Sequence, residues 1–247
     1  MVRSMRAFFA TALACVALGA SAASLEEDVQ RYLRVLAGNT GMQAEQLEKL
    51  SGMGLSDPRL FDAIEKRLLD DAESARGSNI EKNRVAWYFR ALGFSGQEKY
   101  RSTLSKYTDD RTYRNYAINA LKDSSDYARW NPVISDRKTF VAGLTDDSNR
   151  MLNMIRSDDM NLVKIGAKRI YFVGAEQAVL DDLAGLVKAK YMVSDPENAD
   201  TVAWMVKGLA RAGPGKYTAL LEEVKANAPD RKVKNQADSA LRQPGAR

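Results

Sequence analysis

Two stretches of this chain are copies of each other, and the duplication limits what the chain can fold into. Val85–Leu104 and Val202–Leu221 align without a gap at an offset of 117 residues, with eight of twenty positions identical. Average composition would give about one or two identities over that length. The shared residues are Val85-Ala86-Trp87, Leu92, Gly96, Lys99-Tyr100 and Leu104, matched by Val202-Ala203-Trp204, Leu209, Gly213, Lys216-Tyr217 and Leu221. A second echo follows each copy. Asp110–Leu121 and Asp230–Leu241 share six of twelve positions at an offset of 120. The three-residue change falls in the connecting loop, where insertions are tolerated. A block copied together with its neighbour is a structural unit, and internal repetition of this kind decides architecture.

The period inside the block is helical. Val85, Phe89 and Leu92 share one face, and Trp87 with Ala91 widens it. A helix that is apolar over most of its circumference is sandwiched between other helices. Gly93 to Gly96 makes a tight turn, and Glu98 to Tyr107 forms a more polar helix with Tyr100, Leu104 and Tyr107 inward. This is an antiparallel helix pair. The same period runs through Leu25, Val29, Leu33 and Leu36, and through Leu60, Ile64 and Leu68 behind a Ser56-Asp57-Pro58 helix start. No strand pattern stands out, and the chain reads as about a dozen short helices. Ser124 to Asp136, with Trp130-Asn131-Pro132 inside it, reads as an irregular insertion between the copies. The expected organisation is a helical region at 23–77, repeats over 78–242 interrupted at 124–136, and a loose tail at 243–247.

The N-terminus is a different object. Arg3 and Arg6 precede an apolar run from Ala7 to Gly19, which is too short to span a bilayer comfortably. Ala20-Ser21-Ala22 then offers a small-x-small cleavage site. Residues 1–22 are therefore expected to be a cleaved signal peptide, with cleavage after Ala22 or Ala23. The mature chain is placed in the periplasm or outside a bacterial cell. A lipoprotein reading through Cys15 is weaker, because Ala12-Leu13-Ala14 is a poor lipobox and the apolar run continues past the cysteine. Cys15 is the sole cysteine and there is no histidine. The mature core must then form without a disulfide. Losing two arginines with the signal leaves 35 basic against 32 acidic residues, a balance too even to argue for nucleic acid. No second stretch is long and apolar enough to cross a membrane.

One run carries a family resemblance: Leu152, Ile155, Ser157-Asp158-Asp159, Leu162-Val163-Lys164, Ala167 and Ile170. Val233-Lys234, Ala237 and Ala240-Leu241 repeat its step, as do Tyr113-Arg114, Ala117 and Ala120-Leu121 with tyrosine for valine. This pattern resembles the HEAT repeat and its shorter bacterial, PBS-lyase-type form. The resemblance covers roughly residues 78–242, and it departs from the family in its uneven spacing and in the Trp87 and Trp204 copies, which lack the Val-Arg step. It implies an all-α, right-handed superhelical solenoid of stacked antiparallel helix pairs, HEAT-like and of the armadillo type. It also implies that the second helix of each pair lines a concave, protein-binding face.

The residue inventory excludes several chemistries. Without histidine or a mature cysteine there is no nucleophile–histidine catalysis, and a zinc site lacks its usual ligands. No glycine-rich phosphate loop occurs. Acid pairs recur at Asp70-Asp71, Asp109-Asp110, Asp146-Asp147, Asp158-Asp159, Asp181-Asp182 and Glu222-Glu223. Most fall at helix ends, where acids cap the first turn; a weak calcium site or a glycosidase pair are the other readings. The expected function is a non-catalytic scaffold, without metal or cofactor, that binds a protein or peptide in the bacterial envelope. Its narrower form is an accessory or assembly subunit of an envelope complex, and the alternative is a carboxylate enzyme acting on an envelope polysaccharide. Tyr127, Arg129 and Trp130 are candidate contacts because Tyr, Trp and Arg are enriched at binding hot spots and breaks in regularity tend to be functional. Tyr100 and Tyr217 are candidates because they lie on the second helix of their pairs.

Overall fold

A computed structural model of the chain describes residues 25–38, 44–212 and 215–242, so the expected signal peptide, Ala22, Ala23 and the 243–247 tail lie outside the described residues. Those residues form helices joined by turns and loops, without a strand. The helices are α1 (25–37), α2 (Ala44–Lys49), α3 (Pro58–Asp71), α4 (Asn79–Phe94), α5 (Arg101–Ser105) and α6 (Arg114–Ile134), followed by α7 (Asp146–Ile155), α8 (Met160–Val173), α9 (Gln177–Lys190), α10 (Pro196–Ala212), α11 (Thr218–Asn227) and α12 (Arg231–Leu241).

Local sequence sets where these helices begin. The Asp57 carboxylate accepts from the Arg59 amide at 2.9 Å, with Pro58 behind it as the first helical residue of α3. Thr145 receives the Ser148 amide at the start of α7, Asp159 the Asn161 amide at the start of α8, and Asp230 the Lys232 amide at the start of α12. Asp110 holds the Thr112 and Tyr113 amides just before α6. Of the recurring acid pairs, only Asp110 and Asp159 hold amides at helix starts; Asp146-Asp147 lie in the first turn of α7, Asp70-Asp71 end α3, and Asp181-Asp182 and Glu222-Glu223 lie within α9 and α11, away from the helix starts where capping is expected. Among the described residues no three acidic side chains converge as a metal site.

The described residues divide into two compact units: those up to residue 51 together with 55–129, and 52–54 together with those from residue 130 onward. In the first, α4 packs against both α2 and α3. Val85, Tyr88, Phe89 and Leu92 of α4, and Phe61, Ile64 and Leu68 of α3, are all excluded from water. Gly93 lies against α6, where a Cβ would stand 2.9 Å from the Ala120 carbonyl oxygen. Gly96 turns the chain out of α4 at φ +65°, and a Cβ there would meet the Ala128 amide nitrogen at 2.5 Å. Both the conformation and the space at Gly96 require glycine.

The second unit alternates between two layers. Helix α8 packs on α10 and α10 on α12, while α7 packs on α9 and α9 on α11. Val163, Ala167 and Ile170 of α8, Val202, Val206 and Leu209 of α10, and Val233 and Ala237 of α12 form its continuous core. Gly208 lets α10 approach α8 closely: a Cβ there would lie 2.8 Å from the Ala167 carbonyl oxygen. Asp200 on α10 accepts ion pairs from Lys164 of α8 and Lys232 of α12, which hold its carboxyl down to about 2.

The stretch Ser124–Asp136 differs from expectation. It is not an irregular insertion; α6 continues through Pro132 to Ile134. Pro132 removes the amide that would bond the Ala128 carbonyl, while the carbonyls of the turn that follows find donors beyond the helix. Ser135 donates from both its amide and its hydroxyl to the Asn131 carbonyl. The carboxamide nitrogen of Asn153, on α7, donates to the carbonyls of Val133, Ile134 and Asp136 at 3.0–3.2 Å. One turn earlier Asn149 grips the following loop. Its carbonyl oxygen accepts from the Val141 amide at 2.7 Å, and its nitrogen donates to the Val141, Leu144 and Thr145 carbonyls.

Candidate functional site

The structure places the five expected contact residues mostly inside. Tyr127 is 3% exposed, its ring 4.9 Å from that of Phe94. Trp130 is 7% exposed and donates its indole N–H to Asp159 at 2.8 Å, so the carboxylate that caps α8 also fastens the end of α6. Arg129 alone of the five is turned outward, its side chain 65% exposed and paired with Asp126 one turn back.

Tyr100 and Tyr217 sit in matching clusters, each buried ring reaching a half-exposed lysine–aspartate pair. Tyr100 donates its hydroxyl to Asp62 of α3 at 2.8 Å, and Lys99 reaches the same oxygen at 2.5 Å. Tyr217 donates to Asp181 of α9 at 2.7 Å, and Lys216 reaches that oxygen at 2.9 Å. Burial and the neighbouring carboxylate raise the Tyr217 hydroxyl to about 12, while the Tyr217 and Lys216 hydrogen bonds hold Asp181 below its usual range. The repeated Lys-Tyr pair is therefore a joint between helices in each unit.

A different set of side chains faces solvent where α8 and α10 lie side by side. Val202, Met205, Val206 and Leu209 turn into the core, leaving Trp204 and Lys207, three residues apart, on the outer face of α10. The close approach at Gly208 brings Lys168, Tyr171 and Phe172 of α8 beside them. The Tyr171 and Trp204 rings meet edge to face at 5.9 Å, and Phe172 stands 5.0 Å from Tyr171 and 6.5 Å from Trp204. Phe172 is 68% exposed, with Val173 beside it at 53%. The Lys207 ammonium lies 4.4 Å from the Trp204 ring centre and 4.5 Å from that of Tyr171, and the Lys168 ammonium lies 5.0 Å from Trp204. Burial, reinforced by Lys164, lowers the Lys168 pKa. Among the described residues neither Lys168 nor Lys207 is paired with a carboxylate.

The first unit holds a related arrangement. The Arg90 guanidinium lies 4.3 Å over Trp87 and 5.5 Å over Tyr116 of α6. Both copies thus read Trp-x-x-cation on an outward helix face. Sequence carried a signal for this that the apolar stripe conceals: Phe172 and Val173 fall off the Val163–Ala167–Ile170 period, and each repeated tryptophan has a cation three residues on.

Comparison of the chain with protein-family models, with curated proteins and with solved structures finds no match. No helix among the described residues is long and apolar enough to cross a membrane. A partly exposed aromatic cluster with Phe172 outermost, flanked by cations that have no carboxylate partner among the described residues, has the composition of a binding hot spot, an apolar anchor with polar groups to orient what docks on it.

Proposed function

We propose that this chain is an exported, non-catalytic helical-repeat scaffold that binds another protein or peptide in the bacterial envelope. The observation that carries the reading is the outward cluster of Tyr171, Phe172 and Trp204 with Lys168 and Lys207. A ring as exposed as Phe172 gains from desolvation only when something covers it. The HEAT-like solenoid is part of the proposal. Its support is the two-layer alternation of α7–α12, in which each helix packs on the next but one, as stacked antiparallel pairs do. Export rests on Arg3, Arg6, the apolar run and the Ala20-Ser21-Ala22 site.

The test is site-specific photo-crosslinking in intact cells. A benzophenone amino acid at Phe172 is expected to trap one discrete envelope protein, and the same probe at Ile80, which is 80% exposed on α4, to trap none. Absence of an adduct at residue 172, or the same smear from both positions, sinks the reading.

A further inference from the structure

The ring cluster on α8 and α10 explains why something docks; the two lysines beside it bear on what docks. Resting on the partner-binding reading above, we propose that this surface recognises an acidic peptide segment, with a glutamate or aspartate carboxylate seated between Lys168 and Lys207 and an adjacent apolar side chain on Phe172.

Two observations lead there. The first is charge. Lys168 and Lys207 have no carboxylate partner among the described residues, and the nearby Asp200 is already committed to Lys164 and Lys232. Two half-buried ammonium groups over aromatic rings gain most from an anion brought into the same partly desolvated site. The second is the number of charges. Two unpaired cations match one or two carboxylates. A nucleic acid strand carries a phosphate about every 3.4 Å and calls for a longer basic track. A neutral glycan would use the rings and leave the ammonium groups unanswered.

The experiment uses the mature protein and two labelled synthetic peptides, one alternating glutamate with phenylalanine and the other with glutamine in place of each glutamate, read by fluorescence anisotropy. The acidic peptide is expected to bind at least about tenfold more tightly, with its affinity falling as salt rises. The double variant Lys168→Gln, Lys207→Gln is expected to lose about tenfold for the acidic peptide and nothing for the glutamine one, with its thermal unfolding unchanged. Phe172→Ala is expected to weaken both peptides. Equal binding of the two peptides, or an unaffected double variant, overturns the inference. So does a single-stranded oligonucleotide or a chitin oligosaccharide that displaces the acidic peptide at lower concentration than the unlabelled peptide does. The two readings fail separately. If Phe172 crosslinks in the envelope while the peptides bind alike, the acidic chemistry falls alone; if residue 172 traps nothing in cells, the partner reading falls.

Discussion

Asn153 is 7% exposed, and both ends of its carboxamide are hydrogen-bonded inside the second unit. Its nitrogen donates to three carbonyls at the end of α6, and its carbonyl oxygen accepts from the Thr139 hydroxyl at 2.7 Å. Asn153→Ala takes the donor from the buried Ile134 carbonyl and the acceptor from the Thr139 hydroxyl, while the Val133 and Asp136 carbonyls keep donors from Asp136 and Thr139. Its expected cost is about 2–3 kcal/mol, measured by urea unfolding. Asn153→Asp keeps the shape but sets a carboxylate against three carbonyl oxygens, so it should be less stable than the alanine variant. A loss under about 0.5 kcal/mol for alanine would show that the cap does not hold the end of α6. Little of this was legible beforehand. The stretch 147–156 reads as a helix through Met151, Leu152, Met154 and Ile155, but its own period does not say that a loop covers its polar face. Tyr127 and Trp130 have the residue types of a contact site, and the same types seal a core. What separates the two roles is a partner such as Asp159, twenty-nine residues from Trp130.

Among elements, α6 shows where local signals fail. Trp130-Asn131-Pro132 reads as part of an irregular insertion, because proline pushes the preceding residue out of the helical region. The helix nevertheless runs two residues beyond Pro132, held by donors from Ser135 and from α7 that no local pattern contains. The starts of α3, α8 and α12 were legible, since an aspartate cap needs only its own next turn. Asp200 is an interaction between elements and gives a pH prediction. Its carboxyl titrates at about 2 in the folded chain, against about 3.9 when unfolded. A depressed acid stabilises the fold above its unfolded pKa, and that contribution is lost as pH falls from about 4 to about 2. The carboxylate is partly open to solvent, so after screening its worth is about 1 kcal/mol. Asp200→Asn should therefore lower stability by that amount at pH 6 and leave it nearly unchanged at pH 2. Urea midpoints at the two pH values check this, and an equal loss at both would remove the ion pairs as its cause.

At the scale of the whole chain, the duplication is larger than sequence identity reveals. Helices α3 and α9 share one identity in fourteen positions, Asp62 with Asp181, yet that aspartate receives the same Lys-Tyr pair in each unit. The repeated block therefore starts a helix earlier than Val85, with α3 corresponding to α9 as α4 does to α10. Apolar positions drift between Leu, Val, Ile and Phe because volume and patterning suffice for a core, whereas a joint that needs an acid, a cation and a phenol tolerates less. Two compact units with related cores should respond alike to equivalent damage. Leu92 and Leu209 occupy matching positions and are both fully buried. Leu92→Ala and Leu209→Ala are each expected to cost about 3 kcal/mol, by loss of burial and opening of a cavity. Amide hydrogen exchange then asks whether the copies open separately. If each unit is its own cooperative body, Leu92→Ala lowers protection within residues 55–129 and Leu209→Ala within 130–242. A uniform loss across both spans from either substitution would show that the duplicate unfolds as one body, with no division at Arg129.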